Sequence, residues 1–458
     1  MCGICGVLNV GSDPVSQELI DKMMKPLEPR GPDDGGSYLD GELGFGHRRL
    51  SIIDLSSRSH QPMVDDATGL RIVFNGTIYN YPELRRELIE RGHQFKSSGD
   101  TEVILKAFAE WGEDCVARLT GMFAFAIWST RTRRLFVARD RLGIKPLYFT
   151  HDAQRFMFAS DSRALLASGQ IGTDFDPVGM HHHLTLHAVV PAPRTIFRDI
   201  KKVRPAHYLW VESDGRMTEH RYWTLSARRP EQSLSEDEWL EGVKAALKEA
   251  VRRRMEIADV PVGVLLSGGL DSSLLVGLLS EAGVNDLKTF TVGFSDQPEE
   301  AGNEFEYSDP VAARYGTDHH KFHVPDNDLL RRLPEAINAM AEPIVGQDAI
   351  GFYLLSEKVS EHVKVVQSGQ GADEVFGGYF WYPEMHAASD EPDLQRFASR
   401  YFDRNHDDWL ATISPALHLD SDPTSALVSR LLAEADGDEF LDSVLHMDVT
   451  TLIVDDPV

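Results

Sequence analysis

Apolar and polar positions alternate in two different rhythms along this chain. Up to about residue 210, short apolar runs read as strands. They are residues 44–47 leading into 50–53, then 71–74, 122–128, 134–138 and 147–149. Two helical stretches, 81–91 and 101–111, lie among them. The second places Val103, Ile104, Ala107 and Phe108 on one face, with Ser97 and Asp100 as candidate caps. Strand runs interleaved with few helices predict an α+β layered sandwich. Asp214-Gly215 predicts a hairpin turn, and the polar stretch 226–236, which contains Pro230, marks a domain boundary.

From residue 236 the rhythm changes to helix alternating with buried strand. The pattern predicts a helix at 236–254, a strand at 260–266, a helix at 272–282, a strand at 287–294 and a helix at 307–315. Helices near 327–340 and 349–361 and a strand at 363–367 follow. Apolar strands alternating with helices predict a parallel α/β sheet covered on both faces. Beyond Tyr379 the chain reads as mostly helical, and it carries no internal repeat.

Composition narrows the classes. At 458 residues with 42% hydrophobic and 26% charged positions, the chain is an ordinary soluble polypeptide of two or three domains. A net charge of −26 argues against nucleic-acid or anionic-membrane partners. Three cysteines exclude a disulfide scaffold and suit a reducing cytosol, so a cytoplasmic location is expected. The start lacks the basic-then-apolar pattern of a signal peptide, and no apolar stretch approaches a membrane span.

Two clusters carry candidate chemistry. Cys2 follows Met1 directly, so removal of Met1 would give one residue both a thiol and a free α-amine, nucleophile and general base together. The same residue also reads as a small buried hydrophobe, or, with Cys5, as a redox pair or half a metal site. Far along the chain, Ser267-Gly268-Gly269-Leu270-Asp271-Ser272 joins an apolar strand to a helix start. Such a loop offers backbone N–H groups to a phosphate, although the chain has no Walker sequence. The string resembles the pyrophosphate loop of ATP pyrophosphatases, and a carboxylate there, Asp271, suits Mg²⁺. A second loop, residues 368–374, also follows a strand. Loops at the carboxyl ends of parallel strands share one face, so Asp271 and Asp373 are expected around one metal–pyrophosphate unit.

Together with Cys2-Gly3-Ile4, these loops resemble the asparagine synthetase B family of class II glutamine amidotransferases, over nearly the whole chain. Further matching motifs are residues 30–33, 47–52, 74–80, 99–102, 138–148 and 158–160. The resemblance implies an N-terminal-nucleophile αββα sandwich at 1–212, followed at 235–458 by a parallel-sheet ATP-pyrophosphatase domain. It implies Cys2 as nucleophile, the Asn75 side chain and Gly76 N–H as oxyanion hole, and Arg49, Asp100 and Thr77 as glutamine contacts. It assigns ATP to Leu265, Ser267, Gly268, Gly269, Leu270, Asp271, Ser272, Val292, Ser368 and Gly369. Mg²⁺ falls to Asp271 and Asp373, and Gln370 and Glu342 face the acceptor, with Glu304 and Tyr307 also lining that cleft. The substrates implied are glutamine, ATP and an acceptor carboxylate, and the resemblance admits a homodimer.

Three features depart from the family pattern. Thr77 stands where a Glu often follows Asn-Gly. Gln370 stands where asparagine synthetases have an acidic residue, and Gln367 replaces an apolar one. With residues 187–195 and the end 452–458, these resemble the N-acetylglutaminylglutamine amidotransferase branch, which amidates an acylated dipeptide osmolyte, more than plain asparagine synthesis. Relatives continue past Val458 with a lysine-bearing segment, so the chain is expected either to be C-terminally truncated or to be a glutaminase with a non-functional synthetase half, with an asparagine synthetase acting on aspartate as the other alternative. His181-His182-His183 is not expected to bind metal, because consecutive helical residues point in different directions. Residues 318–320 fit a strand start, residues 252–254 a solvated helix end, and Cys5 and Cys115 are expected to be packing residues.

Overall fold

The computed structural model describes residues 1–294, 304–343 and 348–455. By internal contacts the described chain forms two compact units, one of Met1–Ala227 with Glu384–Asp456 and one of Arg228–Pro383. Relative to the sequence division at 212 and 235, the helices of Glu384–Asp456 therefore pack with the N-terminal part.

The first unit holds two six-stranded antiparallel sheets. One is ordered Lys201–Lys202 (β10), Tyr148–His151 (β8), Arg155–Ala159 (β9), Gly3–Asn9 (β1), Leu43–Arg49 (β3) and Asp34–Asp40 (β2). The other is ordered Met217–Arg221 (β12), His207–Glu212 (β11), Arg134–Arg139 (β7), Gly121–Ser129 (β6), Leu70–Ile78 (β5) and Met63–Asp65 (β4). Phe123, Phe125 and Ile127 of β6 point toward the helices Tyr81–Glu90 and Asp100–Trp111, where they meet Leu84, Leu88 and Ile104. The alternate residues Ala124, Ala126 and Trp128 face the other sheet, packing with Ile4, Phe45 and Phe158. Burial on both faces is why residues 122–128 read as a continuous apolar run rather than an alternating one. The helix Gln17–Met24, capped by Ser16, seats Ile20 against Gly44 of β3 and closes the opposite outer layer. The unit is a helix–sheet–sheet–helix sandwich, as the strand and helix rhythm predicts.

Several local expectations are corrected. Residues 50–53 are not strand: β3 ends at Arg49, and the following apolar residues turn toward a pocket instead. The helix Asp100–Trp111 begins on Gly99 rather than on a side-chain cap. Ser97 does contribute, but by donating from its N–H and hydroxyl to the Glu102 carboxylate at 2.7 Å. The hairpin between β11 and β12 turns at Gly215 as expected, with φ 84°. Cys5 and Cys115 are buried and free.

The second unit holds a four-stranded parallel sheet, ordered Asp318–Val324 (β15), Lys288–Phe294 (β14), Val262–Leu265 (β13) and Val365–Gln367 (β16). One face packs Val264 and Leu266 under the helix Leu270–Glu281, and the other packs Phe290 with Leu355 and Val359 of the helix Asp348–Ser360. The order runs outward from β13 through β14 to β15 and then returns to β16 on the other side of β13. The strand order therefore reverses between β13 and β16, the position at which open α/β sheets present a crevice. Among the described residues no helix is long and apolar enough to cross a membrane. Of the terminal motif 452–458, residues 456–458 lie outside the described residues.

Candidate active site

In the first unit, a pocket of about 60 Å³ opens where the start of β1 and the end of β3 meet β5 of the facing sheet. Cys2, Arg49, Asn75, Gly76, Thr77 and Asp100 all line it, so this fold gathers residues up to 98 positions apart in sequence. Cys2 is half-buried one residue before β1, and its Sγ accepts from Leu50 N–H at 3.4 Å. Burial pushes its thiol up, opposed by the Leu50 hydrogen bond and the nearby positive charges. Burial brings the Met1 α-ammonium down to about 5, with Arg30 assisting.

Asn75 is 1% exposed, and its Nδ2 has no hydrogen-bond partner among the described residues. A buried amide donor left unpaired costs about 1–3 kcal/mol, so its orientation toward a pocket calls for an acceptor there. Gly76 sits beside it because a Cβ at that position would press on the Met122 carbonyl oxygen and the Phe123 Cα of β6. Arg49 is buried, and it donates to the carbonyl oxygens of Ser56, Ile53 and Asp54 at 3.2, 3.3 and 2.5 Å. These bonds fix the loop after β3. Asp100 Oδ2 accepts from Ile78 N–H at 3.0 Å, tying the helix start to the end of β5. Burial pushes the Asp100 carboxyl up to about 6, against the hydrogen bonds and the Arg49 charge.

Sequence reasoning missed several residues lining this pocket, Gln61 and Lys145 foremost. Gln61 Oε1 accepts from Phe74 N–H at 2.7 Å and its Nε2 donates to Thr101 Oγ1 at 3.3 Å, bracing β5 against the helix. Burial brings the Lys145 ammonium down to about 8, and its Nζ lies 3.2 Å from Met1 Sδ. Lys145 stands inside the motif 138–148, but nothing in that string shows that it reaches the first residue.

In the second unit, the loops after β13 and β16 converge at the reversal of strand order. A Cβ on Gly369 would lie 2.9 Å from Asp271 Cβ. Gly268 adopts φ 93° and passes against the Tyr307–Ser308 backbone, which no side chain would permit. Ser267 and Ser272 share a hydroxyl–hydroxyl bond of 3.0 Å, and Gly269 caps the helix Leu270–Glu281 without a side chain. The loop therefore presents a helix N-terminus stripped of side-chain caps. Burial and the neighbouring Asp271 push the Asp373 carboxyl up. Two carboxylates that repel in this way fit a hard divalent cation between or beside them. Ser368 and Gln370 are exposed in the second loop, where Ser368 Oγ and Gln370 Oε1 lie 3.1 Å apart. Leu265 and Val292 pack with Phe290 near the strand ends. Glu342 is half-buried after the helix Asp326–Ala339.

Comparison with known proteins decides the family. Residues 1–223 match the glutamine amidotransferase domain, and residues 242–458 match asparagine synthase. The putative glutamine-hydrolysing asparagine synthetase 2 of Methanocaldococcus jannaschii is 35% identical over 83% of this chain and 76% of its own length. The chain belongs to the asparagine synthetase B family. Two Bacillus subtilis relatives, glutamine-hydrolysing asparagine synthetases 3 and 1, are 35% and 37% identical over 83% and 84% of the chain. The chain spans 64% and 60% of their lengths. Among solved structures, the B. subtilis glutamine phosphoribosylpyrophosphate amidotransferase with ADP and GMP aligns with TM-score 0.39 at 15% identity, over 70% of this chain and 90% of that one.

Proposed function

We propose that this member of the asparagine synthetase B family is a glutamine-dependent, ATP-dependent amide-forming ligase. The observation that supports it most is the unpaired Asn75 Nδ2, beside Gly76, in the pocket that holds Cys2.

Removal of Met1 exposes the α-amine of Cys2. That amine takes the thiol proton as Cys2 Sγ attacks the glutamine side-chain amide. Asn75 Nδ2 and Gly76 N–H then donate to the developing oxyanion. Arg49 and the ionised Asp100 position the glutamine α-carboxylate and α-ammonium, with Thr77 alongside. Collapse of the tetrahedral adduct breaks the C–N bond and releases ammonia, and water cleaves the thioester to glutamate.

In the second unit the backbone of residues 267–272, with Ser368 and Gly369, cradles the ATP phosphates at the helix N-terminus. Asp271 and Asp373 would hold Mg²⁺, which neutralises charge building on the pyrophosphate as it leaves. The acceptor carboxylate attacks the α-phosphorus, and ammonia then displaces AMP from the acyl-adenylate.

For the acceptor, Gln370 and Gln367 favour an acylated dipeptide whose only charge is the carboxylate to be amidated, N-acetylglutaminylglutamine. The names of the relatives favour the second reading, aspartate. Pyrophosphate release by the full chain with glutamine, ATP and each acceptor separates them. The first reading expects turnover with the dipeptide, and turnover with aspartate alone rejects it.

A further inference from the structure

Outside both sites, the helix Pro177–Thr185 carries His181, His182 and His183, and the fold brings distant ligands to the first of them. His181 is fully buried. Its Nε2 lies 3.0 Å from His406 Nδ1 and 3.8 Å from Asp422 Oδ1. Among the described residues these three alone offer metal-ligating atoms that all lie within 4.8 Å of one another. All three belong to the first unit. Two ligands of a tetrahedral zinc site, each ~2.0–2.1 Å from the metal, stand ~3.4 Å apart, midway between the two separations observed.

The surroundings prepare the ligands. His181 Nδ1 lies 2.6 Å from Thr424 Oγ1, and a proton donated there leaves the Nε2 lone pair facing His406 and Asp422. His182 does not diverge as its place in sequence suggests, because its Nδ1 reaches the same hydroxyl at 2.9 Å. Trp409 lies 4.9 Å from the His181 ring and stacks on His406 at an interplanar angle of 9°, holding both imidazoles. Asp422 caps the helix Pro423–Glu434, accepting from Thr424 and Ser425 N–H at 2.9 Å, and this fixes its carboxylate in place. His406 is only half-buried, so the cluster is reached from solvent on that side.

We propose that His181 Nε2, His406 Nδ1 and Asp422 Oδ1 bind a borderline divalent cation of the zinc class, with water as fourth ligand. The cation takes the place of the proton that His406 Nδ1 shares with His181, and His406 Nε2 carries a proton in its stead, so the ring binds as a neutral imidazole. Two imidazoles and a carboxylate select such a cation over Mg²⁺ or Ca²⁺. Its role is structural. It fastens the starts of the helices His406–Thr412 and Pro423–Glu434 to the helix Pro177–Thr185, and so the segment Glu384–Asp456 to the N-terminal layers. The inference is independent of the function proposed above.

The test titrates untagged, metal-free full chain with Zn²⁺ against a chromophoric chelator, and follows thermal melting with and without the metal. The wild type is expected to bind one tight equivalent and to melt higher with Zn²⁺. His406→Gln, at a half-buried position, should lose that equivalent and the melting shift while keeping its circular dichroism. Thr424→Val should weaken binding ~10–100-fold, as loss of an outer hydrogen bond does. His93→Gln, which removes a ring paired with Glu110, should change nothing. Absence of a tight equivalent, or one retained in His406→Gln, overturns the proposal.

Discussion

The Cys2 pocket and the paired loops of the second unit reach chemical competence by opposite routes. The pocket lies between two antiparallel sheets, and its polar groups are buried there: Arg49, Asn75, Thr77 and Asp100 are each about 5% exposed or less. Desolvation leads the displacement of its titratable groups, lifting Cys2 and Asp100 and lowering the terminal amine and Lys145. The paired loops lie at the open ends of parallel strands, where Ser267, Ser368 and Gln370 are exposed. Burial acts there too, but it is joined by the repulsion of one carboxylate by another at Asp373. On the proposed function, the pocket would stabilise a charge that appears only during reaction, whereas the loops would meet charges that arrive with the ligand. A buried preorganised site should therefore respond to loss of a single donor, and an exposed one to loss of its countercharge.

Substitutions can break this contrast. The largest effect is expected from Asn75→Ala, which should lower kcat for glutamine hydrolysis ~10²–10³-fold, the cost of one oxyanion donor. Steady-state glutaminase assays check it, and pyrophosphate release driven by ammonia should be unaffected. Asp373→Asn should act in reverse, lowering ATP-dependent pyrophosphate release about 10²-fold while leaving glutamine hydrolysis intact. Equal loss of both reactions in either variant would erase the distinction. Gly76→Ala should destabilise the first unit by about 1–3 kcal/mol, since its Cβ meets β6 backbone rather than a movable side chain. Chemical denaturation measures this.

The smallest effect is a pH dependence at Asp100. Its carboxyl is raised to about 6 by burial, so it is neutral below that pH and cannot hold the glutamine ammonium. KM for glutamine should therefore rise as pH falls below about 6, approaching tenfold per unit. For stability the sign is opposite. A raised carboxyl favours the folded state fully below about pH 4, and that contribution is lost as pH rises through about 6. Asp100→Asn should flatten the KM profile and stabilise the protein at neutral pH.

What the sequence disclosed depended on how local the cause was. Residues 122–128 and the strand–loop–helix at 260–282 were legible because burial on both faces leaves an unbroken apolar signature. Strand β2, Asp34–Asp40, was not, since its Gly-Gly-Ser centre lies at a half-exposed edge and carries no apolar rhythm. Strand β1, Gly3–Asn9, was not legible either, because Cys5 within it and Cys2 just before it read as candidate chemistry rather than as strand. The nucleophile, oxyanion and metal candidates were named because whole motifs carry them. Gln61 and Lys145 were not, because their reach to Phe74, Thr101 and Met1 is set by packing across the sandwich. His181 shows the same limit, with His406 and Asp422 lying 225 and 241 positions away.

The most direct test of the account is Cys2→Ala, assayed for ATP-dependent pyrophosphate release with glutamine and with ammonia as nitrogen source. The expected result is loss of glutamine-driven release with ammonia-driven release preserved. Glutamine-driven release that survives the substitution would contradict the assignment of Cys2 as the residue that frees the ammonia.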